Sequence, residues 1–182
     1  MQKISILLLA VISAALISCN PDKESRVNRA RLDFTTTDES ELFFKNVRQA
    51  YYDQQEMAEA GMNVFRLGKR NEAGDLPVIN LAIVHQWRLD EASIIIEPNA
   101  FFEEGEIVLK WHNATEDGEL RYSRGNRELQ QTFVVEVYDH LVAKDSMEVI
   151  VGGTSYPWPA SFEDSEAYRI TTFDYLRLVG VF

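Results

Sequence analysis

Along much of this chain apolar and polar residues alternate with a period of two, and in two places the period lengthens to that of a helix. Arg31 to Thr36 reads as a first strand, with Leu32 and Phe34 on one face. The Thr/Asp/Glu/Ser cluster of residues 35–41 then starts a helix, with Asp38 and Glu41 at capping-box spacing. Phe43, Val47, Ala50 and Tyr51 follow at helical spacing, Glu41 and Lys45 form an i, i+4 pair, and Gly61 is the stop. Gln54 to Ala60 carries no large apolar residue, so this half of the helix is expected to be exposed.

Beyond Gly61 the pattern is that of strands. Met62 to Leu67 is one, and a turn around Gly74 follows. Pro77 to Leu89 is the most apolar run. Ile79, Leu81, Ile83, Trp87 and Leu89 share one face, while Val78, Ala82 and Val84 share the other, which predicts an interior strand. Ser93 to Glu97 is the next strand, ended by Pro98. Glu106 to His112 alternates with Ile107, Leu109 and Trp111 inward, and a hairpin returns the chain over Glu119 to Tyr122. Asn126 caps a second helix whose stripe is Leu129, Phe133, Val134, Val137, Tyr138 and Leu141; the valines of Thr132 to Tyr138 keep a strand as the alternative. Met147 to Val151 is a strand, and Tyr168 to Phe182 reads as an extended finish bent near Asp174. The sum is an α+β domain: a mixed or mainly antiparallel sheet of about seven or eight strands with two helices.

The N-terminus stands apart from this pattern. After Met1-Gln2-Lys3, Ile4 to Leu16 is uncharged. As a helix this run spans about 20 Å, short of the roughly 30 Å hydrocarbon core of a bilayer. A positive start, a short apolar run and small residues at its end have the form of a secretory signal. Leu16-Ile17-Ser18-Cys19 resembles the lipobox of bacterial lipoproteins: a Leu three before the cysteine and a small residue just before it. The resemblance implies that Cys19 receives a diacylglyceryl group, that the leader is cut between Ser18 and Cys19, and that the new amine is acylated, by palmitate among other chains. The other reading is an ordinary secretory signal that ends in cysteine. The expected organisation is a signal peptide over 1–18, a flexible tether over 19–28 and one domain over 29–182. Asn20 stands where an Asp would resemble an inner-membrane retention signal. The outer membrane is therefore the expected site, facing periplasm or cell surface, and Pro21-Asp22-Lys23-Glu24 loosely resembles an acidic surface-export tether.

Composition narrows the function classes. With 18 basic and 29 acidic residues the formal charge is −11, which repels phosphate backbones and anionic lipid; nucleic-acid binding is not expected. Cys19 is the only cysteine among 182 residues, so the body has no intrachain disulfide and must hold itself by its core, for which 46% hydrophobic residues suffice.

No nucleophile-elbow, zincin, Walker or dinucleotide signature is present, and no cofactor is expected. His85, His112 and His140 are far apart in sequence; His85 is read as a hydrogen-bonded core residue, and no metal site is expected. Asn113, Thr115, Asp117 and Gly118 imitate the start of a calcium loop, but Arg124 occupies the place of its final carboxylate, which leaves a hairpin turn. The stretch Thr154 to Phe162 threads Tyr156, Trp158 and Phe162 on two prolines. These rings are either a binding surface or core packing folded back over the sheet, and packing is preferred. The expected function is a non-catalytic binding or assembly module, held on the membrane by Cys19, with an envelope protein or glycan as partner. The alternative is a lipid-anchored hydrolase of envelope polymers, which would need a carboxylate pair about 5 to 9 Å apart in a pocket.

Overall fold

The computed structural model describes residues 27–102 and 106–182. The leader, Cys19 and most of the tether lie outside the described residues. Among the described residues the class is α+β, with eight strands in two four-stranded antiparallel sheets and three helices between and beside them. Sheet 1 runs β1 (Tyr52–Met57), β2 (Met62–Leu67), β3 (Ile79–Gln86), β4 (Glu91–Pro98), neighbours in sequence being neighbours in space. Sheet 2 has the order β6 (Asp117–Tyr122), β5 (Ile107–His112), β7 (Ser146–Val151), β8 (Thr154–Pro157). Helix α1 is Asp38–Phe43, α2 is Arg127–Ala143 and α3 is Phe162–Leu178. Helix α2 touches β4 of one sheet and β6 of the other, and α3 packs on β3, so both sheets and all three layers share one core.

Several expectations are corrected. The predicted strand Arg31 to Thr36 is a 3-10 turn (Arg29–Arg31) followed by extended chain that makes a single bridge, Thr35 to Glu91. The capping box at the start of α1 is one residue earlier than its sequence signature: Thr37 Oγ1 accepts from Ser40 N–H, and Ser40 Oγ accepts from Thr37 N–H. The helix does not reach Gly61. It continues as a π turn (Phe44–Arg48) and a 3-10 turn (Gln49–Tyr51), and the chain then becomes β1. Past Tyr52 no side chain of β1 is buried. An edge strand is held by its backbone ladder to β2, so it needs no apolar stripe, whereas a helix there would have nothing to bury. Gly61 serves the β1–β2 turn instead, at φ +66, where an added Cβ would meet Arg88 Cδ at 2.5 Å.

The extended finish is also corrected. Residues 162–178 form α3, whose N-cap Ser161 accepts from Asp164 N–H, with acids in its first turn and Arg177 in its last. Ala167, Tyr168, Thr171, Thr172, Tyr175 and Leu178 are buried at helical spacing. The Tyr, Ile, Thr and Phe content of this stretch imitates a strand, and tertiary burial of the helical stripe overrides that preference.

Trp87 and Leu89 were expected on the buried face of β3. The strand ends at Gln86, Asp90 turns the chain at φ 51, and both residues stand out on the β3–β4 turn, 43% and 64% exposed. Trp111 is half-buried rather than covered: its indole lies over Gly118, its cross-strand partner, and stacks on His140 at 4.2 Å. A Cβ on Gly118 would stand 2.7 Å from that indole, so Gly118→Ala is expected to destabilise by about 1–3 kcal/mol through overpacking, as a denaturant melt would show. Asn113 Oδ1 accepts from Thr115 N–H, Thr115 Oγ1 and Glu116 N–H, which makes the residue a turn-former in the β5–β6 hairpin.

Candidate functional site

Alternation places Tyr52 and Gln54 of β1, Asn63 and Phe65 of β2, and Ile83 and His85 of β3 on the face of sheet 1 that looks toward the helices. Half of this face is apolar. Phe44 of the π turn covers Tyr52 and Phe65 there, with ring centroids 5.6 and 5.1 Å away. The other half is polar: Gln54, Asn63 and His85 face Glu41, Lys45 and Gln49. Together with Leu178 they line a cavity of about 180 Å³. Such π turns are rare and are often found where a helix presents a functional site.

Glu41 organises the pocket. Its Oε1 accepts from Thr36 Oγ1 at 2.7 Å and lies 2.9 Å from His85 Nε2, and its Oε2 accepts from Lys45 Nζ at 3.2 Å. Burial alone would raise this carboxyl; hydrogen bonds from Thr36, His85 and Lys45, with the charge of His85, outweigh it and hold the group below its ordinary value. An ionised Glu41 requires a proton on Nε2, which makes His85 a donor to it. Nδ1 has no hydrogen-bond partner among the described residues. A chain of amides completes the wall: Gln49 donates to Gln54 at 2.8 Å, and Gln54 donates to Asn63 Oδ1 at 3.2 Å. The pocket thus offers mainly donors to a small polar molecule. Glu41 is the one carboxylate lining it among the described residues, and Thr36 Oγ1 already serves Glu41, so the lining holds neither a carboxylate pair nor a free hydroxyl nucleophile.

The depressed Glu41 carboxyl links this site to stability. A carboxyl lowered on folding contributes stability that is present above its unfolded value of about 4.5 and is lost as pH falls through its folded value. Glu41→Gln is therefore expected to flatten the loss of stability on acidification below about pH 4.5, measured by denaturant unfolding at stepped pH.

The aromatic stretch singled out in the sequence does not form one surface. Trp158 is in the core, 3% exposed, edge-on to Tyr168 at 5.2 Å, with its backbone N–H bonded to Met147 O. Tyr156 is half-buried on β8 against Phe101. Phe162 begins α3 and is 72% exposed. It lines a second, larger cleft of about 710 Å³ with Tyr51, Leu67 and Ile170, flanked by Arg48 and Lys69 and by Glu163 and Glu166.

The three histidines do not converge. His85 binds Glu41; His140 Nδ1 is 2.7 Å from Asp145 Oδ2 beneath Trp111; His112 is exposed at the end of β5. Among the described residues no group of three or more His, Cys, Asp or Glu is placed to hold a metal ion, and no helix is long and apolar enough to cross a membrane.

Compared with protein-family models, with curated proteins and with solved structures, the chain matches none.

Sequence patterning identified His85 as a hydrogen-bonded core residue and paired Glu41 with Lys45, and both contacts are present. It did not join them into a pocket. Gln54, Asn63 and His85 come from three strands, and only the registers Gln54 to Phe65 and Asn63 to His85 bring them side by side. The single local signal was a histidine interrupting the Ile79, Leu81, Ile83 face.

Proposed function

We propose that this chain is a cell-envelope lipoprotein, anchored through lipid on Cys19 at the outer membrane, whose body is a non-catalytic binding module with a small polar ligand in the pocket beneath α1. The observation that carries the binding reading is the gathering of six polar side chains, Glu41, Lys45, Gln49, Gln54, Asn63 and His85, around one cavity on the helix side of sheet 1. A concave site lined mainly by hydrogen-bonding side chains favours a small polar occupant over an apolar one. Anchoring rests on the Leu16 to Cys19 signature.

Two measurements test this. Cells fed labelled palmitate should label the protein, and Cys19→Ala should abolish the label; equal labelling of the variant would end the lipoprotein reading. The native lipoprotein, purified from its own membranes and denatured, should release a small polar molecule seen by mass spectrometry. The double variant Gln54→Leu, Asn63→Leu, which fills the cavity without touching the Glu41–His85 pair, should release none. Equal release from both proteins, or from neither, would remove the pocket from the proposal, and steady consumption of the molecule by the intact protein would replace binding with catalysis.

A further inference from the structure

We infer that the cleft carrying Phe162 and Tyr51 is a docking surface for the lipid bilayer that holds the anchor, so that the body lies against the membrane by one defined end. This inference rests on the anchoring reading above.

The geometry begins with the N-terminal segment, which runs antiparallel along α2. Val27 N–H reaches Asp139 Oδ1 at 3.4 Å, and Arg29 pairs with Glu136 and Asp139 near the end of that helix. Further along the segment, Asp33 O accepts from Gln131, and Phe34 lies under the Arg127 guanidinium at the helix start. Helix α3 is antiparallel to α2 as well: Tyr168 hydroxyl reaches Val134 O, and Tyr175 hydroxyl, seven residues later, accepts from Gln131. The start of α3 and the point where the described chain begins therefore share one end of the domain. Trp87 and Leu89 mark the opposite end, beside Glu91, whose carboxylate pairs with Arg127. Asp139 and Arg127 alone are about 18 Å apart along the helix axis.

Chain length then limits where this end sits. From Cys19 to Val27 is eight residue steps, a reach of about 27 Å when fully extended. A lipid on Cys19 holds Val27 within that distance of the membrane surface.

The shared end presents a surface suited to the interface. Phe162 and Tyr51 are 72% and 59% exposed over an apolar floor of Leu67, Ala167 and Ile170. Exposed aromatic rings suit the membrane interface, and the charged lining of the cleft is mixed, with Lys69 beside Glu163 and Glu166 while Arg48 is engaged by Asp174. The net charge of −11 opposes attraction to anionic lipid, so the contact is apolar in origin and independent of salt. Tethering raises the effective concentration of surface and bilayer, so a contact too weak to hold a free protein suffices here.

The test uses the full acylated protein in vesicles of phosphatidylcholine with or without bromine on the acyl chains. With Cys19 acylated, a cysteine placed by Phe162→Cys, Lys69→Cys or Leu89→Cys is the only free thiol and takes a bimane label. Intact mass reports acylation of Cys19 in the same samples. Brominated lipid is expected to quench bimane at positions 162 and 69 and not at 89, with the loss unchanged in high salt. Acylated protein with no quenching at 162 and 69 overturns the docking surface and leaves the anchor standing. Label at 162 shielded from aqueous iodide yet not quenched by lipid also overturns it, assigning the cleft to a protein or a second copy. An unmodified Cys19 overturns anchor and docking surface together.

Discussion

Trp158→Ala is expected to destabilise the fold by about 3–5 kcal/mol, a large share of the roughly 5–15 kcal/mol that holds an ordinary domain. The ring is almost wholly buried between sheet 2 and α3, where its neighbour Tyr168 is itself buried and reaches across to α2. Truncation would leave a cavity at the junction of three elements that cannot close without moving a helix. Trp87→Ala is the matched comparison. That indole lies on the β3–β4 turn with Arg88 stacked on it at 5.0 Å, and its loss should cost within about 0.5 kcal/mol. Urea unfolding of the two variants measures the contrast. A Trp158 variant as stable as the wild type would show that its ring is not part of the core.

Arg48→Met should cost about 3 kcal/mol at neutral pH, for an electrostatic reason. Asp174 is buried, 3% exposed; its carboxylate accepts from Arg48 Nε at 2.8 Å and from Tyr52 hydroxyl at 2.6 Å. Removing the guanidinium leaves a buried charge with only a phenol and distant cations to stabilise it. The effect depends on pH with a definite sign. Burial raises the Asp174 carboxyl above its ordinary value, although Tyr52 and Arg48 pull it down. Without Arg48 it rises further. A carboxyl raised on folding contributes stability that is complete below its unfolded value and is lost as pH rises through its folded value. The deficit of the variant should therefore shrink on acidification toward pH 4, and a deficit constant across that range would show that Asp174 does not carry it.

Asp174 illustrates what one-dimensional patterning misses. In the sequence it reads as the bend of an extended terminus. In the fold it is the acid that ties α3 to the π turn through Arg48 and to β1 through Tyr52. The candidate site shows the same division. The His85–Glu41 bond spans 44 residues, and the cleft at Phe162 is built from α3 and from the two ends of the β1–β2 hairpin.

By itself the sequence determined those elements whose local signals agree. In β2, β3, β4, β5 and β7 short apolar or alternating runs coincide with turn residues, and in α2 the stripe starts at a capping Asn126 whose Oδ1 accepts from Leu129 N–H. It also carried the α+β class and the Cys19 signature, because these depend on composition and spacing over short stretches. Only the tertiary structure decided that Tyr168 to Leu178 is helical, that Tyr52–Met57 is an edge strand, and that eight strands divide into two sheets. Periodicity states which positions favour burial, but it does not name the surface that buries them. Tyr, Thr and Ile lean toward a strand until a partner face buries them at helical spacing, and an edge strand held by backbone bonds leaves little trace in its side chains. The polar pocket is the furthest case: each of its residues is ordinary where it stands in the chain, and strand register alone makes them neighbours.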